Sequence, residues 1–101
     1  MARTLQHPAV AALELTGVLH ALSDPVRLKI VCTLAAEGGE RRCGDFTTHV
    51  SKSTLTHHFR VLRESGVIEQ FADGTAVVNR LRRTDLDARF PGLLDSVLRS
   101  G

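Results

Sequence analysis

A cluster of short polar and basic side chains opens one predicted helix. Ser51 is a residue type that caps helix N-termini, and Gly66 stands where a C-terminal glycine is common. Between them, apolar residues recur at helical spacing at Leu55, Phe59 and Leu62. The other face of the predicted helix, residues 52–65, carries hydrogen-bond donors and cations. These are Lys52, Ser53, Thr54, Thr56, His57, Arg60 and Arg63.

A helix of this kind can read DNA. It fits the major groove, where side chains near its N-terminus reach base edges, and that terminus itself favours a phosphate. We therefore expect Ser51 and the polar side chains of the first two turns to contact bases and phosphates, and Arg60 and Arg63 to contact the backbone. Because His57 and His58 are adjacent, they point about 100° apart. We expect His57 near DNA and His58 partly buried; an ordinary solvated helix face is the alternative.

The residues that follow this helix predict a β-hairpin. Runs 67–71 and 76–81 are rich in β-forming residues and flank the turn sequence Ala72-Asp73-Gly74-Thr75. Asp-Gly is a strong hairpin signal, which predicts positive φ at both central residues. A hairpin directly after a polar helix is typical of a wing beside a recognition helix. The candidate DNA contacts on it are Asp73, Gly74, Arg80 and Arg82.

The rest of the chain reads as further helices. A first helix is predicted over 9–22. A second is predicted over 26–36, after Ser23-Asp24-Pro25, which supplies a cap residue and a proline suited to the first turn. A short helix is expected around 43–47, a turn capped by Thr84 and Asp85, and a last helix over 90–98. The order is α-α-α-α-β-β-α. This predicts a mainly α protein with a β-hairpin, a winged helix-turn-helix, as a single domain over 1–101.

Composition and charge narrow the function. With 101 residues, 43% of them hydrophobic, and no apolar run long enough for a membrane span, the chain is predicted to be one soluble domain. Its four aromatics are all Phe, so a small core favours oligomerisation, for example as a dimer. The net charge of +2 divides into +4 within 41–83 and −2 elsewhere. An anionic partner is therefore expected for the middle of the chain.

Two segments together resemble the ArsR/SmtB family of bacterial winged-helix repressors. They are LSDPVRLKI at 22–30 and VSKSTLTHHFRVLRESGVI at 50–68, and the similarity extends in outline over 20–98. The resemblance implies a homodimeric repressor with a recognition helix at 51–65, a wing at 67–81 and an effector that releases it from its operator. It also implies a dimer interface on the first and last helices. The candidate residues there are Val10, Leu15, Leu19, Leu93, Leu94, Val97 and Leu98.

The sequence departs from the family pattern at the sensing sites. Family metal sensors often carry a cysteine pair before the recognition helix, whereas residues 41–46 contain Cys43 alone. Others use Asp and His on the last helix, where this chain has Asp95 and no His. No metal or cofactor is therefore predicted. Cys32 and Cys43 remain candidates for a soft metal, a metalloid or a regulatory disulfide, and the alternative is two small core residues.

Enzymatic chemistry is not expected. The chain lacks the hydrolase, phosphate-binding, metalloprotease and dinucleotide-binding motifs. Without a secretory signal it is predicted to be cytoplasmic, with no membrane partner. The sequence thus predicts a sequence-specific transcriptional repressor that binds double-stranded DNA as a homodimer and responds to an unknown effector. The alternatives are a winged-helix protein-interaction module, or a repressor that senses metalloids or redox state through Cys32 and Cys43.

Overall fold

The computed structural model describes residues 3–38, 40–46 and 49–101. This part of the chain contains five α-helices and four strands. The strands are β1 (Arg3–Thr4), β2 (Glu40–Arg42), β3 (Ile68–Asp73) and β4 (Ala76–Leu81). The helices are α1 (Leu15–Leu22), α2 (Pro25–Glu37), α3 (Lys52–Glu64), α4 (Arg83–Arg89) and α5 (Leu93–Ser100), with 3₁₀ turns at Val10–Ala12 and Cys43–Asp45. No helix within the described ranges is long and apolar enough to cross a membrane.

The predicted hairpin is the centre of an antiparallel sheet whose strand order is β1-β3-β4-β2. Asp73 pairs with Ala76, so Gly74 and Thr75 form the turn. Gly74 has φ +65°, but no described residue other than glycine has positive φ. The expectation of positive φ at both central turn residues was therefore wrong. Only the first turn position requires glycine here.

Local capping signals placed α2 and α3 correctly. The Asp24 carboxylate accepts hydrogen bonds from the backbone N–H groups of Val26 (2.8 Å) and Arg27 (3.2 Å), and α2 stops at Gly38 with φ +63°. Ser51 Oγ accepts from the N–H of Thr54 at 3.2 Å at the start of α3. These contacts satisfy backbone groups that a helix end leaves without partners.

Gly66 ends α3 for a steric reason as well as a conformational one. Its φ is +87°, and a Cβ placed there would lie 2.0 Å from Cδ2 of Leu13. Leu13 is itself buried, and its carbonyl oxygen accepts from Nε of Arg89 at 3.2 Å. These contacts hold Leu13 in extended backbone. The apolar periodicity predicted that the first helix begins at residue 9, but in the structure it begins at Leu15.

The segment between α2 and α3 also differs from its prediction. Residues 40–42 form β2 and pair with β4, and the predicted short helix at 43–47 is a single 3₁₀ turn, Cys43–Asp45, with residue 47 outside the described residues. Asn79 Nδ2 donates to the carbonyl oxygen of Arg41 at 3.1 Å, which holds this backbone on the sheet. Tertiary pairing therefore overrides a weak helical pattern.

The C-terminal region contains two helices where one was expected. A short turn was predicted at Thr84 and Asp85. The structure has a longer element there, the helix α4 over residues 83–89. The last helix begins at Leu93 rather than 90, because Gly92 at its N-terminus has φ +82°. Both helices contribute to a core shared by the whole chain. Its buried apolar side chains include Leu13, Val18, Ile30, Val31, Leu34, Phe59, Leu62, Ile68, Leu86 and Leu94.

Candidate nucleic-acid interface

The outer face of α3 is open to solvent. Its apolar face turns inward through Phe59 and Leu62, which are buried. Arg63 near its end is half-buried. The exposed side chains of the cap and outer face are Ser51, Lys52, Ser53, Thr54, Thr56, His57 and Arg60. The structure thus presents the predicted donors on one accessible helix surface.

Some of these hydroxyls are already engaged with the helix. Ser51 Oγ donates to Thr54 Oγ1 at 2.9 Å and lies 3.3 Å from Ser53 Oγ. Thr56 Oγ1 donates to the carbonyl oxygen of Lys52 at 3.0 Å. A hydroxyl that donates to the backbone keeps acceptor lone pairs for an incoming group. These side chains are therefore oriented before any ligand arrives.

A groove of about 650 Å³ runs between α3 and the hairpin. Lys52, Thr56, Arg60 and Arg63 line its helix side, at spacings of four, four and three residues, which keep them on one helix face. Thr75, Ala76 and Val77 line its hairpin side. Arg42 adds a fourth cation, and Asp45 contributes a carboxylate.

The four cations of the groove differ from the other four cations of segment 41–83 in their ion pairs. Each of the other four forms an ion pair with at least one carboxylate: Arg41 with Glu37, Arg80 with Glu40 and Glu69, Arg82 with Asp85, and Arg83 with Asp87 and Asp95. Among the described residues, the four cations of the groove have no carboxylate within ion-pair distance. The excess positive charge of the segment is therefore concentrated in the groove between helix and hairpin.

The four predicted DNA contacts on and after the hairpin differ in their exposure to solvent. Asp73 and Gly74 are exposed at the tip. Arg80 is exposed, but it pairs with Glu40 at 2.7 Å and its guanidinium lies 5.3 Å from the centre of the Phe71 ring. Arg82 is only 9% exposed.

The burial of Arg82 corrects its predicted role. Its Nε donates to Asp85 at 3.0 Å, and its Nη1 donates to the carbonyl oxygen of Pro8 at 2.9 Å. A guanidinium held inside the protein by these groups is not presented to a duplex. Arg82 therefore joins the N-terminal segment to the start of α4.

A chain of buried amides, which the sequence did not reveal, connects α3 to the sheet. Arg63 Nη1 donates to Oε1 of Gln70 at 3.0 Å, and Gln70 Nε2 donates to Oδ1 of Asn79 at 2.7 Å. Because a guanidinium can only donate, Gln70 must accept through its oxygen, which fixes the orientation of both amides. The available signal was their register: Gln70 lies directly opposite Asn79 across the hairpin. We call this chain the amide relay.

Cys43 lies at the far end of the amide relay. Its Sγ lies 3.2 Å from Nδ2 of Asn79 and 3.8 Å from Nε2 of Gln70. Burial raises the pKa of the Cys43 thiol and outweighs these hydrogen bonds, which act to lower it. The thiol is therefore protonated near neutral pH and serves as a weak acceptor.

Cys32 has different surroundings from Cys43. Cys32 lies on α2 against the C-terminal Gly101, and both cysteines are free thiols. Among the described residues, no group of three His, Cys, Asp or Glu side chains could hold a metal ion.

Arg27, which belongs to the segment at 22–30 that resembles the family, contacts α3 on its buried side through His58. Its Nη1 lies 3.1 Å from Nδ1 of His58, while Nε and Nη2 donate to the carbonyl oxygens of Ala21 (2.7 Å) and His20 (3.2 Å). His58 is buried, more completely than the partial burial predicted, and the arginine requires its Nδ1 to accept. The neutral ring therefore carries its proton on Nε2, which lies 4.0 Å from Asp24.

Burial acts to raise the pKa of Asp24, but hydrogen bonds from the N–H groups of Arg27 and Val26 lower it overall.

The predicted dimer residues also fall into groups. Val10, Leu15 and Leu19 are exposed, the last two by 46% and 45%. Leu93, Val97 and Leu98 are half-buried on α5. Leu94 is 2% exposed and belongs to the core, so its assignment to a dimer interface was wrong. An apolar groove joins the two helices, because Leu19 and Val97 line the same pocket.

Comparison with known proteins identifies the family. A family model described as bacterial regulatory protein, arsR family, matches residues 24–70. The uncharacterised HTH-type transcriptional regulator YceK of Bacillus subtilis is 33% identical over 82 residues, which cover 79% of this chain and 82% of YceK. The transcriptional repressor SdpR of the same organism is 31% identical over 85 residues, covering 82% and 92%. The chain belongs to the ArsR family.

Solved structures agree with this assignment. The transcriptional repressor BigR from Xylella fastidiosa matches with a TM-score of 0.64 and 31% identity, covering 84% of this chain and 83% of BigR. The crystal structure of an ArsR family transcriptional regulator, 18% identical, matches with a TM-score of 0.68 over 90% of this chain and 92% of its own, which shows the fold. The predicted winged helix-turn-helix is confirmed. As an ArsR-family protein, the chain is a DNA-binding transcriptional regulator rather than an enzyme.

Proposed function

We propose that this ArsR-family protein is a sequence-specific repressor that places α3 in the major groove of an operator. The observation that carries the proposal is the groove between α3 and the hairpin, where Arg42, Lys52, Arg60 and Arg63 lie without carboxylate partners among the described residues. Cations already paired within a protein gain little from a phosphate, whereas unpaired ones release DNA counterions on binding.

The side chains along α3 divide by their position. Ser51, Ser53, Thr54, Thr56 and His57 lie on the exposed first turns, where base edges come within reach. Lys52 at the helix N-terminus favours a phosphate, and the helix dipole acts in the same direction. Arg42, Arg60 and Arg63 follow the groove toward the hairpin, whose tip carries Asp73 and Gly74. We propose that this second group contacts the sugar-phosphate backbone.

A homodimer would present two such helices. The exposed side chains of Val10, Leu15 and Leu19, with half-buried Leu93, Val97 and Leu98 on α5, supply an apolar surface for a second copy. A two-fold axis there would set the recognition helices about 34–36 Å apart, one turn of B-DNA. We therefore propose an inverted-repeat operator. The protein would act in the cytoplasm, where bacterial DNA lies, and release DNA in response to an effector.

Selection of bound fragments from a bacterial genomic library tests this proposal. We expect enrichment of an inverted repeat whose half-sites are about one helical turn apart. The affinity for that repeat should fall with salt, with a slope of about −0.9 for each phosphate neutralised. A complex that is insensitive to salt, or the absence of any enriched duplex, would instead favour a winged-helix protein-interaction module.

A further inference from the structure

A further cavity, distinct from the groove between α3 and the hairpin, lies between α2 and the segment that precedes α3. Its volume is about 670 Å³, within the range of ligand pockets, roughly 300–1,000 Å³. Val26, Ile30 and Phe46 give it apolar walls. Ile30 is buried, whereas Lys29 and His49 are exposed, so the apolar part is inside and the basic part is at the mouth.

The connection between α2 and α3 forms the other side of this pocket. The described part of that connection contains one 3₁₀ turn, Cys43–Asp45, after β2. It contains no helix that could pack along α2. The face of α2 that carries Val26, Ile30 and Thr33 lines the pocket.

The charges around this pocket select the kind of ligand. Lys29, Arg41 and His49 line it, and no carboxylate does so among the described residues. Arg41 pairs with Glu37 and donates to the carbonyl oxygen of Asp45, but its Nε–H is buried without an acceptor in the described structure. A carboxylate at the mouth would neutralise exposed Lys29, and a turn of the Arg41 side chain toward it would also give this N–H an acceptor. Apolar walls with a basic mouth fit a molecule that has an apolar body and one carboxylate.

Phe46 connects the pocket to the recognition helix. Its ring lines the pocket and packs edge-on against the ring of Phe59 on α3, with centroids 5.3 Å apart. Phe59 is buried and also borders the groove that faces DNA. The Arg41 guanidinium lies over the Phe46 ring at 5.2 Å. A ligand that moves Phe46 or draws Arg41 away from it therefore acts directly on the packing of α3.

We propose that this pocket binds an amphipathic organic carboxylate and that its occupation weakens DNA binding through Phe46 and Phe59. The effect on DNA rests on the repressor function proposed above. The binding site itself does not, because it is defined by the pocket alone.

Binding is tested on the free protein by two-dimensional NMR, with decanoate below its micelle concentration as the probe. We expect saturable shifts centred on Val26, Ile30 and Phe46. Decanol, which has the same chain without the charge, should bind about fivefold or more weakly, the effect of roughly one surface charge pair. Decylamine should bind more weakly still.

Two matched substitutions of exposed cations supply the control. Lys29→Gln should weaken decanoate binding severalfold, with Arg41 still present, whereas Arg99→Gln on α5 should leave it unchanged. Equal binding of decanoate and decanol, shifts spread over other surfaces, or no saturable binding would each overturn the site. Because both side chains are exposed, we expect each variant to fold normally.

The coupling to DNA is measured separately by gel shift with an enriched operator fragment. Decanoate should lower the operator affinity of the natural sequence severalfold and have a smaller effect on Lys29→Gln. If decanoate occupies the pocket while operator affinity stays unchanged, the coupling is wrong. A protein that binds decanoate but no duplex would overturn the repressor function and support the site.

Discussion

Nε2 of His7 accepts a hydrogen bond from the backbone N–H of Gln70 at 2.7 Å. The carbonyl oxygen of the same Gln70 accepts from the N–H of Leu5 at 3.1 Å. Both backbone groups of one β3 residue therefore bind the segment that precedes α1. Since Gln70 also belongs to the amide relay, this segment is joined to the base of the wing and, through Arg63, to α3.

This contact predicts a pH dependence. Burial, with smaller contributions from Arg82 and Arg63, lowers the pKa of His7, and Glu69 acts in the opposite direction. A lowered pKa in the folded state means that His7 stabilises the fold above the unfolded value of about 6.5. That contribution is lost as the pH falls through the lower, folded pKa. The Gln70 amide should then exchange its hydrogen faster, as measured by NMR, and His7→Gln should reduce the pH dependence; an unchanged exchange profile would contradict this.

Removal of the relay's central amide should destabilise the protein. Gln70→Leu leaves Arg63 and Asn79 without their buried partner, which costs about 1–3 kcal/mol. Urea unfolding measures the loss. Gln6→Leu, at an exposed position, is the matched control and should change stability by less than about 0.5 kcal/mol. Equal effects of the two substitutions would show that the amide relay contributes nothing specific.

The Arg27 guanidinium should be irreplaceable by lysine. It bonds to His58 and two carbonyl oxygens from a buried position, and an ammonium cannot reproduce that planar arrangement. Arg27→Lys should therefore lower the free energy of unfolding by about 2–3 kcal/mol. Lys29→Arg on the exposed side of α2 should leave it unchanged. Similar stabilities of the two variants in urea would contradict the anchoring role.

Substitutions in the basic segment should separate DNA contact from folding. Lys52→Ala should weaken operator binding and reduce the salt slope by about 1, with stability unchanged, because the side chain is exposed. Arg82→Ala should instead destabilise the fold, because it removes the partner of Asp85 and Pro8. Gel shifts over a salt series, beside urea unfolding, compare the two variants. A normal salt slope for Lys52→Ala would remove that residue from the proposed contacts.

Two leucines should distinguish assembly from folding. Leu15→Glu places a charge on an exposed apolar surface and should yield a folded monomer in sedimentation. Leu94→Glu buries an unpaired charge in the core and should destabilise the chain by several kcal/mol. Circular dichroism reports folding in both. A dimeric Leu15→Glu variant would exclude this surface from the interface.

The helix α3 and the hairpin could largely be predicted because their signals are local. Ser51 as a cap, Gly66 as a stop and the Gly74 turn each act within a few residues, so helix and hairpin could be placed without knowledge of the fold. The segment at 40–46 could not, because its structure is decided by pairing with β4. The start of α1 likewise depends on Leu13 packing against Gly66.

The distribution of charge also depends partly on the sequence and partly on the tertiary structure. The sequence by itself determined that residues 41–83 carry excess positive charge and that α3 has a polar face. Three of the ion pairs formed by this segment, Arg41 with Glu37, Arg82 with Asp85 and Arg83 with Asp87, lie within three or four residues along the chain. Only the tertiary structure decided the others, because it brings Glu40 and Glu69 to Arg80 and Asp95 to Arg83. Pairing depends on distance in space, and periodicity along the chain reports only the neighbours within one helix or strand.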